Sequence, residues 1–203
     1  MLSFSTAVDV AISRGAVVYP FLTTKIEPAQ AADRVGAVRA LPRRAAGAQP
    51  SLSTANLVAI PEGANVIFFA PTGSRLSLAG GDTPVLTGCL RNAPAVAQNA
   101  RLIAGESDIA MVPWGEGSPD GSLRPAIEDL LGAGAIIHRF GLPCSPESRV
   151  ARDAYRAANI AVAALIRASV SGRELIDGGF LEDVEIAPEE SVSARSAGPY
   201  RAA

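Results

Sequence analysis

One passage near the middle of the chain constrains the fold more than any other. The apolar run Ile109-Ala-Met-Val112 reads as a buried strand and leads directly into Pro113-Trp-Gly-Glu-Gly-Ser-Pro-Asp-Gly-Ser-Leu-Arg-Pro-Ala126, a Gly/Pro loop, with a helix from Leu123 to Leu131 after it. The loop and helix start carry Glu116, Asp120, Arg124, Glu128 and Asp129. In an open α/β sheet the carboxyl ends of the strands are where ligands bind, because loops and helix N-termini converge there with N–H groups pointing outward. This loop is therefore the first candidate site.

The rest of the chain repeats the strand-to-helix grammar. A helix over Ser3 to Arg14 stops at Gly15 and is followed by a strand, Ala16 to Pro20; Pro28 to Val38 reads as a second amphipathic helix. Residues 39–62 show no clear period and read as a loop or lid, with Ser51-Leu-Ser-Thr54 as its most polar island. Asn65 to Ala70 is a buried strand that runs into Pro71-Thr-Gly-Ser-Arg-Leu76, and Pro84 to Leu90 is a strand followed by Arg91-Asn92 and a helix over Ala93 to Ala104. Ala135 to Phe140 reads equally as a strand or as the continuation of the preceding helix. Ser145-Pro-Glu has the composition of a helix start, with a helix expected to Arg167; a short helix begins at Ser171 and ends at Gly178-Gly179, and another is expected at Leu181 to Ile186. Ser191 to Ala203 reads as a frayed tail.

This alternation predicts an α/β fold with three layers, α/β/α, around a largely parallel or mixed sheet, in a single domain spanning 1–203. A helix with no strand in front of it is an unusual opening for such a fold, and suggests a start further upstream.

Composition narrows the function. Lys and Arg number 18 against 20 Asp and Glu, for a net charge of −2, which lacks the basic footprint of a nucleic-acid binder. No apolar stretch approaches the ~20 residues of a membrane span, and no signal peptide is evident. Cys89 and Cys144 are too far apart for a C-x-x-C motif, so a reduced, cytoplasmic protein is expected.

Four carboxylates between Glu116 and Asp129 can hold a hard divalent cation such as Mg²⁺, or can be turn and solvated helix residues. Arg124 beside them favours anion binding, since its planar fork suits phosphate, sulfonate or carboxylate. Thr72-Gly73-Ser74 is either a simple turn or an anion-binding helix start, without the spacing or lysine of a Walker A loop. Arg91-Asn92 either binds an anion or caps the helix. Cys89 is either a nucleophile activated by that helix start or a small core residue. His138 reads as structural, and Trp114 as a pocket wall or a core residue.

Several blocks together resemble the 2-phosphosulfolactate phosphatases, the ComB-like family: Gly88-Cys-Leu-Arg-Asn-Ala93, Gly115-Glu116, Pro119-Asp-Gly-Ser-Leu-Arg-Pro-Ala126, Glu128-Asp-Leu-Leu-Gly-Ala-Gly-Ala135, Ser171-Gly-Arg-Glu-Leu175, Gly179-Phe180 and Glu182-Asp-Val184. Leu2-Ser-Phe-Ser-Thr-Ala7 matches as well, and only the stretch from about Thr23 to Pro50 diverges. The resemblance implies a Mg²⁺-dependent phosphatase that converts 2-phospho-3-sulfolactate to 3-sulfolactate and phosphate, a step associated with coenzyme M biosynthesis. It assigns Glu116, Asp120 and, as a covalent variant, Cys89 to catalysis; Ser5, Thr6, Gly73, Ser74, Arg91, Asn92 and Arg124 to substrate binding; and Glu116, Glu128 and Asp129 to the metal. The family also has a strand and an Asp before the position of Leu2, so a core strand and an acid are expected upstream or are missing. Thr72 and Thr54 stand where the family favours Asn and Pro. The alternative is an impaired member that binds small anions without turnover. Exposed sheet edges leave room for a homodimer.

Overall fold

The computed structural model describes residues 1–22, 27–45, 50–117 and 120–200. In chain order the elements are α1 (Phe4–Ser13), β1 (Val17–Pro20), α2 (Pro28–Arg34), β2 (Val38–Ala40), a 3₁₀ turn (Arg43–Ala45), α3 (Thr54–Leu57), β3 (Asn65–Phe68), α4 (Pro71–Leu78), β4 (Val85–Thr87) and α5 (Ala93–Ala104). Then come β5 (Glu116–Gly117), β6 (Leu123–Arg124), α6 (Ile127–Phe140), α7 (Pro146–Ala158), a 3₁₀ turn (Asn159–Ala161), α8 (Val162–Ala168), α9 (Val170–Asp177), α10 (Leu181–Ile186) and β7 (Ala197–Tyr200). They form two compact units, one of residues 3–87 with the chain's end from 195, the other of residues 1–2 and 88–194.

The first unit is the α/β part. Its sheet has the order β1-β3-β2 with both pairings parallel, Val18 opposite Val66 and Arg39 opposite Ile67. Successive side chains of a strand point to opposite faces, and β3 uses both. Ile67 packs with Ala31 and Ala32 of α2, with Tyr19 and Phe21 alongside. Phe68 meets the ring of Phe4 from α1 edge-on, at 6.1 Å between centroids. Helices on both faces of a parallel sheet give this unit the expected three layers.

The second unit is helical. In α6 every residue from Leu131 to Ile137 is buried, and the helix packs against α5 and α7. Ser145 opens α7, its hydroxyl accepting the Ser148 N–H at 3.2 Å, as Ser-Pro-Glu leads one to expect.

Several expectations are corrected. Ile109 to Val112 has no regular secondary structure and joins no ladder among the described residues, and Val112 is 65% exposed. An apolar run becomes a strand only where a neighbouring strand meets its backbone. The helix expected from Leu123 starts at Ile127 instead: Pro125 pushes the residue before it into extended backbone, and Leu123–Arg124 pairs antiparallel with Glu116–Gly117. Ala135 to Phe140 continues that helix. The helix expected to reach Arg167 is interrupted at Asn159–Ala161, although the buried positions Ala151, Tyr155, Ala158, Val162 and Ile166 keep one phase across the break.

The segment 39–62 is not a lid. Its residues 46–49 lie outside those described, but β2, α3 and the buried Ser51, Ser53, Thr54 and Leu57 belong to the body of the first unit. The Ser51 N–H donates to Asn56 Oδ1 at 2.7 Å, so the polar island serves local turn structure. The tail is not frayed up to Tyr200 either: β7 pairs antiparallel with β4, Val85 opposite Tyr200 and Thr87 opposite Ala197. Among the described residues no helix is long and apolar enough to cross a membrane.

The approach of α6 to α7 depends on Gly134, where a Cβ would stand 2.2 Å from Ala151 O and 2.8 Å from the Tyr155 Cβ. Gly134→Ala therefore forces the helices apart, at about 1–3 kcal/mol, the usual cost of overpacking a close contact. Chemical denaturation measures it; an unchanged midpoint would show that the helices are not in this contact.

Candidate active site

The chemically equipped residues of the second unit cluster at helix starts and on one hairpin. Glu128 and Asp129 occupy the first turn of α6, where carboxylates are favoured by the helix dipole. Asp129 is a structural anchor: its Oδ2 accepts the Gly115 N–H at 2.8 Å, and its Oδ1 pairs with the α-amino group of Met1. Gly115 has φ +81°, and a Cβ there would stand 2.4 Å from Arg124 O, so only glycine closes the base of the β5–β6 hairpin in this way. Glu128 differs from its neighbour. It is only 3% exposed, and its side chain makes no hydrogen bond or ion pair among the described residues.

Arg124, on β6, reaches Ser171 Oγ at 3.2 Å and Glu174 Oε2 at 3.4 Å, both on α9. Two sequence blocks forty-seven positions apart thus meet through one guanidinium. Glu116 is exposed on β5. Asp120 is exposed too, and its Oδ1 accepts both the N–H and the hydroxyl of Ser122, at 2.9 and 2.7 Å. Hydrogen bonding by the Ser122 side chain and backbone holds its carboxyl below the usual pKa. Such a group is a poor proton donor near neutrality.

The turn before α5 is built on Asn92, which is fully buried. Its Oδ1 accepts the Cys89 N–H at 2.9 Å and lies 3.6 Å from Cys89 Sγ. A thiol proton is directed at that oxygen, whereas a thiolate would face its lone pairs, so the arrangement favours the protonated thiol. Arg91 is already engaged: its guanidinium pairs with Glu189 and donates to Ile186 O at 3.4 Å.

Four of the expected binding residues lie in the first unit. Ser5 and Thr6 are in α1, and Thr6 is fully buried. Thr72, Gly73 and Ser74 form the first turn of α4, a helix start rather than a simple turn. A Cβ on Gly73 would come 2.1 Å from Phe4 Cγ, so the glycine makes room for that ring. The Ser74 hydroxyl donates to Phe68 O at 2.9 Å and accepts the Ala70 N–H at 3.3 Å, which occupies it in tying strand end to helix start. Trp114 is 41% exposed and is no core residue; the His138 ring lies tilted at 49° to that of Tyr155, with centroids 5.9 Å apart.

The three acids expected to share a metal are not brought together: among the described residues no three His, Cys, Asp or Glu side chains form a metal-binding group. Asp9 and Asp183, both fully buried, were given no role by sequence reasoning; each sits on an otherwise apolar helix face that masks its acid in the hydrophobic pattern.

A family model described as 2-phosphosulpholactate phosphatase matches residues 47–194. The chain belongs to this family. No curated protein matches it. As a member of the 2-phosphosulpholactate phosphatase family it is a phosphoric monoester hydrolase, and its substrate is a small phosphate ester. The matched span contains the α5 turn, the hairpin, the start of α6 and α9.

The position of Cys89 as a hydrogen-bonded thiol leads to a direct check. Cys89→Ser keeps a donor toward Asn92, and turnover of a phosphate ester is expected to stay near that of the parent chain. Loss of turnover in a variant that folds normally would point to a phosphocysteine route instead.

Proposed function

We propose that the chain hydrolyses 2-phospho-3-sulfolactate, or a phosphate ester of a related 2-hydroxy acid, to the free hydroxy acid and inorganic phosphate, with Mg²⁺ as cofactor. The observation that carries the chemistry is Glu128, a buried carboxylate at a helix start with no protein partner of its own among the described residues. A largely buried carboxylate that no other described group engages is open to a cation or a water at its oxygens.

The residues fit a Mg²⁺ ion held by the Glu128 carboxylate, the remaining positions being water and substrate oxygen, since both Asp129 oxygens are engaged by Gly115 and Met1. They do not fit a three-carboxylate site that includes Glu116. When bound, the cation neutralises charge on the phosphoryl oxygens. The chain's own part is positioning and proton transfer. Glu128 orients the attacking water and accepts its proton as the water oxygen bonds to phosphorus and the bond from phosphorus to the 2-oxygen breaks. Arg124 presents a guanidinium whose partners on α9 fix its direction toward an anionic group. With phosphosulfolactate as substrate the reaction belongs to coenzyme M biosynthesis, in a cytoplasmic setting.

Phosphate release from 2-phosphosulfolactate, followed with Mg²⁺ and with excess EDTA, tests the reading. Release that needs the metal and collapses in Glu128→Gln is expected. Turnover unaffected by EDTA and by Glu128→Gln would refute both roles.

A further inference from the structure

Pro94, Gln98, Arg101 and Leu102 stand at i, i+4, i+7 and i+8 along α5, so they share one face of that helix. The face carrying Ala93, Val96 and Ala97 is buried, which turns these four residues outward. Together with Arg139, in the last turn of α6, they line an open cavity of about 460 Å³. That volume falls within the roughly 300–1,000 Å³ usual for small-molecule sites.

The two guanidiniums of this cavity differ from others in the same unit. Arg91 pairs with Glu189, Arg124 with Glu174, Arg152 with Asp153 and Arg167 with Glu185. Arg101 instead donates to Phe140 O at 3.0 Å, and Arg139 to Ser191 Oγ at 3.2 Å, with the Tyr155 hydroxyl also beside Arg139. All three acceptors are neutral. The acids just before Ser191 are engaged elsewhere, Glu189 by Arg91 and Glu190 by the Tyr155 hydroxyl at 2.6 Å. A guanidinium keeps its charge throughout the physiological range and offers five N–H donors. Two positive charges with donors to spare therefore line one cavity, and among the described residues no carboxylate forms an ion pair with either.

We propose that this cavity binds a small organic dianion, one acidic group on Arg101, the other on Arg139, and the carbon skeleton against Pro94 and Leu102. The guanidiniums belong to different helices and are tethered to different acceptors, so they act as two anchors rather than one fork. Gln98 adds an amide that both donates and accepts, which suits a hydroxyl or carbonyl on the skeleton. The site is separate from the proposed reacting centre: Glu128 lies in the first turn of α6 and Arg139 in the last, roughly 16 Å apart along the axis. It does not depend on the phosphatase reading.

The test uses the full chain and succinate, a dianion with neither a phosphoryl group nor a 2-hydroxyl, at low ionic strength so that exposed charges are little screened. Titration calorimetry is expected to show saturable binding by the parent chain, weakened about tenfold or more in Arg101→Gln and in Arg139→Gln through loss of one charge-assisted contact. Leu102 is 75% exposed, so Leu102→Glu leaves the fold intact, adds a like charge at the cavity and is expected to weaken binding similarly. Glu128→Gln is expected to bind as the parent does. No saturable binding by the parent, or parental affinity in the folded Arg139→Gln and Leu102→Glu chains, overturns the proposal; so does loss of succinate binding in a folded Glu128→Gln chain, which would put the ligand at the other end of α6. Arg101 holds a carbonyl at the end of α6, and should its variant fail to fold, Arg139→Gln and Leu102→Glu decide. Succinate binding in the expected pattern by a chain that releases no phosphate from 2-phosphosulfolactate would refute the proposed reaction and support the cavity site.

Discussion

The contact on which the second unit depends is the approach of α6 to α7 at Gly134, where the helix surface lies directly against Ala151 O. A helix packed this closely has little freedom to rotate or slide, because neighbouring side chains interdigitate at crystal-like density. The buried stretch Leu131 to Ile137 then fixes where the helix begins, and the beginning carries Glu128 and Asp129. Asp129 passes that placement on to the hairpin through the Gly115 N–H, and Arg124 on the same hairpin passes it to α9 through Ser171 and Glu174. The chemical groups of this unit are thus held by one chain of packing and hydrogen bonds that starts in an apolar helix contact.

Local signals were legible wherever the physics is local. Ser145-Pro-Glu opened a helix, Asn65 to Phe68 formed a buried strand, and α5 spans the residues its periodicity marked, Ala93 to Ala104. Where structure depends on a distant partner the sequence was silent or misleading. Ile109 to Val112 has every local mark of a strand but no ladder among the described residues, while Ala197 to Tyr200 has almost none and pairs with β4. Local propensity contributes little to a sheet compared with the neighbour that completes it.

The candidate site shows the same division. Residue types and spacing pointed to anion and metal chemistry at the α5 turn and around the hairpin, and the family match covers both. What spacing could not show is which groups are already occupied. Ser74 is consumed by Phe68 and Ala70, Arg91 by Glu189, and Asp120 by Ser122, whereas Glu128 is left without a partner and Asn92 with an idle donor among the described residues. Availability is a property of three-dimensional pairing, and it reorders the candidates more than any motif does.

Glu128, a largely buried carboxylate at the start of α6, therefore carries the account of this phosphatase. A crystal structure of the chain grown with Mg²⁺ and inorganic phosphate tests it most directly. The expected result is a cation on the Glu128 carboxylate with the phosphate beside it. A phosphate bound elsewhere, with no ligand at Glu128, would contradict it.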